Sequence, residues 1–142
     1  MNEKLLKFVA IILLSGFVVA AKYLFQSDVD FDLGDEGYLW YGAQGVLLGE
    51  IPMRDFMAYA PFRYYWSAIF MKAASQTGLY PLRLAAYFIE FLGIFVSLVM
   101  IQGRDKLKIV DLVLLLMFGI IIAFWMYPYV KAYDFISSIL TI

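Results

Sequence analysis

The chain has 142 residues, 64% of them hydrophobic and 16% charged, with a formal net charge of −1 at pH 7. Its mean hydropathy of +0.81 lies far above that of a soluble domain of this size and points to a membrane protein. The 11 basic residues are scattered singly, which excludes a nucleic-acid surface, and the absence of cysteine and histidine excludes disulfides, thiol chemistry, zinc sites and histidine bases.

The first element follows the basic start MNEKLLK. Phe8 to Ala21 carries no charge, and a helix over 5–25 supplies the roughly 20 residues a bilayer requires. A secretory signal shares this pattern, but a cleavage site and a soluble domain should then follow. Neither does, so the favoured reading is an uncleaved first span, with Lys22 extending its stem to the interface.

Residues 26–80 read as a long outer loop. Asp35 is placed to cap a helix near 37–48, and Gly49 supplies its left-handed stop shortly before Pro52. Tyr38, Trp40, Tyr41, Val46 and Leu47 make that helix apolar enough to lie flat in the interface. A second juxtamembrane helix over 62–74 carries Tyr64, Tyr65, Trp66, Phe70 and Met71 and is too short to cross. These aromatic rings read mainly as an interfacial belt.

The second span covers 82–102, a cytoplasmic loop 103–110, and the third span 111–129. Residues 130–142 form an outer segment and the start of a fourth span. Lys4 and Lys7 before the first span, with Arg104, Lys106 and Lys108 between the second and third, place the N-terminus and the short loop in the cytoplasm. Asp28, Asp30, Asp32, Asp35, Glu36, Glu50 and Asp55 then face outward. The expected fold is all-α and integral to the membrane, with three transmembrane helices and two interfacial helices, because open sheets cannot satisfy their edges in lipid.

Carboxylates and guanidinium groups are the chemistry left. Asp35 or Glu36 can serve as a base, since adjacent carboxylates beside a low-dielectric surface raise each other's pKa. Arg83, at the outer mouth of the second span, matches phosphate oxygens with its planar fork or anchors at the headgroups. Arg54, Arg63 and Lys131 are further cations, and Asp134 can orient an acceptor. Asp55 has a plainer reading as a partner of Arg54 or a turn cap. Asp28, Asp30 and Asp32 read as a solvated acidic turn, since they lack the glycine and terminal glutamate of a calcium loop. Glu90 falls inside the second span, where a carboxylate needs a partner or a wet cavity. Either a functional role or a protonated side chain bonded to a neighbouring helix meets that need.

The ordered set Asp35-Glu36, then Leu48, Gly49 and Pro52, then Asp55-Phe56, Pro61 and Tyr65-Trp66 resembles the N-terminal part of the GT-C glycosyltransferases. The protein O-mannosyltransferase and aminoarabinose-transferase branches belong to that superfamily. Leu82-Arg83-Leu84 and the later Lys131 and Asp134 extend the resemblance over nearly the whole chain. One departure stands out, since Tyr59-Ala60-Pro61 replaces the family's frequent Lys-Pro-Pro.

The resemblance implies an enzyme that moves a sugar from a polyprenyl-phosphate donor to an acceptor at the outer face of a bacterial or archaeal cell membrane. Asp35, Glu36 and Asp134 would be catalytic, and Arg83, Lys131, Asp55 and Arg63 would bind substrate. No cofactor is expected, the lipid-linked sugar being a substrate, and a divalent metal is not indicated. Such enzymes have many more spans, so the sequence reads as an N-terminal fragment, inactive alone, that joins later spans or another membrane subunit. The alternative is a small three-span accessory or lipid-binding protein without catalysis.

Overall fold

Apolar stretches this long satisfy their backbone hydrogen bonds internally, and they do so here as helices. The computed structural model describes residues 3–26, 32–102 and 108–125. Five helices follow in order: α1 (Glu3–Gln26), α2 (Asp35–Leu47), α3 (Phe62–Ala74), α4 (Leu79–Gln102) and α5 (Ile109–Trp125). No strand occurs among the described residues. Two stretches, Leu5–Phe25 in α1 and Leu79–Ile101 in α4, are long and apolar enough to cross a membrane. The apolar part of α5 is shorter.

α1 and α4 run antiparallel. The Phe8 ring meets Phe95 edge-on at 5.4 Å, while at the other end Tyr23 meets Tyr87 at 5.2 Å and Tyr80 at 6.5 Å. α5 rests on both of them around Gly119, where an added Cβ would sit 3.5 Å from Val18 and 3.8 Å from Ile94. An open apolar groove of about 300 Å³ lies along α1 and α4, walled by Tyr23, Tyr80, Leu84, Tyr87, Phe88 and Phe91.

Charge inside this pair of helices is matched. Lys22 Nζ donates to Glu90 Oε1 at 2.8 Å, and the two side chains are 4% and 1% exposed. The expectation that Lys22 reaches out to the interface is therefore corrected: the lysine turns inward to the one carboxylate of α4. Glu90 has the partner that its position demanded.

α2 and α3 form a second layer. The α3 stripe of Arg63, Tyr64, Ser67, Ala68 and Met71 is buried at helical spacing, against Glu36, Leu39, Gly42, Ala43 and Gly45 of α2. Tyr64 is fully buried, and its ring occupies the space that a side chain at Gly42 would need. Phe56, from the connection between the helices, packs edge-on against Tyr64 at 5.4 Å. Two tryptophans pin the layers together in addition to any interfacial role. Trp40 donates its indole N–H to the Thr77 carbonyl at 2.6 Å, and Trp66 donates to the Ala85 carbonyl of α4 at 3.0 Å.

Among the helix starts that differ from expectation, two have a local cause. α4 begins at Leu79, because Pro81 in a first turn lacks only an N–H that would have no helical acceptor. α2 begins at Asp35 and is not capped by it; the residue before it, Gly34, offers no side chain. Gly49 behaves as expected, with φ at +93° just past the helix end.

Candidate functional site: the heads of α2 and α3

The head of α2 is organised by Asp32. Its Oδ1 accepts the N–H of Gly34 at 2.8 Å and of Asp35 at 3.3 Å, and its carbonyl accepts the N–H groups of Glu36 and Gly37, each at 3.0 Å. Glu36 reaches back to accept the Asp32 N–H at 3.3 Å. This reciprocal arrangement resembles a capping box. Asp32 thus does the work that the sequence suggested for Asp35, which releases Asp35 from any capping duty.

The adjacent carboxylates then part company. Glu36 is 2% exposed and receives Arg83 Nε on Oε1 and Nη2 on Oε2, both at 3.0 Å. This bidentate pair ties α2 to α4 and occupies the two guanidinium nitrogens that would grip a phosphate side-on. Asp35, one residue earlier, is exposed, and its carboxylate makes no ion pair or hydrogen bond among the described residues. A single step of about 100° around the helix separates a carboxylate spent on an ion pair from one with no partner among the described residues.

The head of α3 has the opposite electrostatics. Arg63 is 3% exposed, and its Nη2 donates to the Tyr64 hydroxyl at 3.0 Å. Its Nε has no acceptor, and no carboxylate lies within ion-pair distance of it among the described residues. The guanidinium carbon lies 4.2 Å from the Tyr59 ring centre and 5.0 Å from that of Tyr64. Cation–π contact of this kind gives about 0.5–2 kcal/mol, whereas burying an uncompensated charge costs several kcal/mol. Burial pushes the Tyr64 phenol above its ordinary pKa, and the hydrogen bond from Arg63 offsets only part of this. Tyr64 therefore stays protonated, and no group among the described residues neutralises the charge of Arg63.

Asp55 sits apart in its own turn. Arg54 donates Nε to Oδ1 at 2.8 Å and Nη2 to Oδ2 at 2.7 Å, and the Ile51 N–H donates to Oδ2 at 2.8 Å. The Arg54 hydrogen bond, with help from Ile51, holds the Asp55 carboxyl at about 2. The plainer reading of Asp55, pairing with Arg54 and closing a turn, is the geometry found. Lys131 and Asp134 lie outside the described residues, as do Asp28 and Asp30.

The pairings of Lys22 with Glu90 and of Glu36 with Arg83, and the burial of Arg63, were missed in the sequence. The pairing of Lys22 with Glu90 had a signal, since each is the single charge inside an apolar run and the runs are antiparallel neighbours. The burial of Arg63 had a fainter one, its place at the first turn of a helix whose apolar stripe begins there. No protein-family model, no curated protein and no solved structure matches this chain.

Proposed function

We propose that the chain is an integral membrane protein and the N-terminal, catalytic-loop portion of a GT-C-like glycosyltransferase. It moves a sugar from a polyprenyl-phosphate donor to an acceptor at the outer membrane face. The observation that carries this reading is the division of labour at the head of α2. Glu36 is spent on Arg83, while Asp35 stands exposed beside it with no partner for its carboxylate among the described residues. Asp35 is then the base that takes the acceptor proton, and the Glu36–Arg83 pair fixes its position. Two helices able to cross a membrane, and the ordered resemblance through Asp35, Gly49, Pro52, Asp55 and Trp66, support the same reading.

The test is sugar transfer from a labelled polyprenyl-phosphate donor, in membranes where the chain is expressed from its own locus. Asp35→Asn is expected to lower the transfer rate by about 10²–10⁴-fold with the protein level unchanged. Glu36→Gln should instead lower the protein level, because it strips Arg83 of its counter-charge. Undiminished transfer in Asp35→Asn rules the assignment out. The second reading, a lipid-binding accessory protein without catalysis, is favoured by the open aromatic groove between α1 and α4. It predicts no transfer in any variant.

A further inference from the structure

We infer that Arg63, with Tyr59 and Tyr64, forms a binding site for a phosphate oxyanion. Arg63 is almost wholly buried, yet its Nε–H lacks an acceptor and no carboxylate among the described residues balances it. It stands in the first turn of α3, which has no acidic residue there and no side-chain cap at Pro61. The positive end of the helix dipole therefore adds to the guanidinium charge. The head of α2 is the contrast, with Asp32, Asp35 and Glu36 all supplied by the chain. At α3 the described residues supply the cation and the helix end but no anion.

One of the two rings against the guanidinium is itself exposed. Tyr59 is 61% exposed and lies over the guanidinium at 4.2 Å. The next residue, Ala60, holds a left-handed φ of 50°, a conformation that costs a non-glycine residue energy and returns it when the segment moves. Displacing Tyr59 would uncover one face of the guanidinium. A phosphate group suits what is then presented, because its several oxygens accept from Nε–H, from the guanidinium edge and from a tyrosine hydroxyl together. Either a phospholipid headgroup or free phosphate carries that chemistry. The site does not depend on sugar transfer, and its test reads binding alone.

The experiment is thermal unfolding of the full chain, in neutral detergent with inorganic phosphate titrated at constant ionic strength, and in phosphatidylcholine nanodiscs with or without phosphatidic acid. A saturable rise in Tm of about 3 °C or more is expected. A rise only with phosphatidic acid assigns the site to a lipid headgroup, and a rise with inorganic phosphate assigns it to the free ion. Arg63→Gln should abolish the rise, while Arg54→Gln, on an exposed cation, should retain it. Should Arg63→Gln fail to fold, Tyr59→Ala serves instead and is expected to lower the half-saturating phosphate concentration several-fold. No rise in either medium, an unchanged response in Arg63→Gln, or an unchanged midpoint in Tyr59→Ala overturns the proposal.

Discussion

At the scale of single residues, what separates one carboxylate from the next is the company it keeps. Asp35 and Glu36 are neighbours in sequence, but a step of about 100° around the helix sends one to the surface and the other to Arg83. Asp55 offers a cleaner measure of the same principle. Its depressed pKa means that the stability it contributes is fully present above the ordinary value of 3.8 and is lost as pH falls through about 2. A carboxyl NMR titration should find its midpoint near 2. Arg54→Ala should move that midpoint up toward the ordinary value, because the largest cause of the depression is then gone. An unmoved midpoint would assign the effect to the Ile51 N–H instead.

At the scale of elements, α2 and α3 approach closely because glycine faces tyrosine. A Cβ at Gly42 would strike the Tyr64 ring and stand 3.0 Å from Phe56, both held by packing. At Gly45 the obstacle is the carboxylate end of Glu50, which can swing away. Gly42→Ala should therefore cost about 1–3 kcal/mol through overpacking, despite alanine's better helix propensity. Gly45→Ala should be near neutral or stabilising. Denaturation midpoints of the two variants in one detergent check the contrast, and equal effects would show that Tyr64 is free to move.

Most of the element boundaries were legible because they rest on local chemistry. The 62–74 helix, the glycine stop at Gly49 and the two long apolar runs each follow from composition and spacing. The start of α2 was misplaced because capping belonged to an aspartate three residues further back, and an acidic cluster does not announce which member turns inward. Pairings such as Glu36 with Arg83 were not legible at all. They depend on how far each helix is rotated about its axis, and the residues concerned lie 47 positions apart.

At the scale of the whole molecule, two buried ion pairs, Lys22–Glu90 and Glu36–Arg83, converge on α4 and hold α1 and α2 to it. Breaking such a pair is far more costly than removing it, since the survivor is left as a lone buried charge. Glu90→Leu should preserve insertion but lower stability by about 3–5 kcal/mol, and adding Lys22→Met should restore most of the loss. Thermal unfolding of the single and double variants decides this. A double variant no better than the single one would mean that the pair contributes through something other than mutual neutralisation.

That pair also imposes a schedule on synthesis. Lys22 and Glu90 are 68 residues apart in the chain, and at translation speeds of roughly 5–20 residues per second the lysine waits on the order of 3–14 seconds for its carboxylate to be made. On the proposed membrane reading, α1 would lodge during that interval with an uncompensated ammonium near its end. A lysine four residues before the helix terminus can bridge the wait by stretching toward the headgroups. On that reading the outward posture would belong to the interval before α4 is made, whereas the folded structure holds Lys22 inward. A lysine placed mid-helix would have no such refuge while α4 was still being translated.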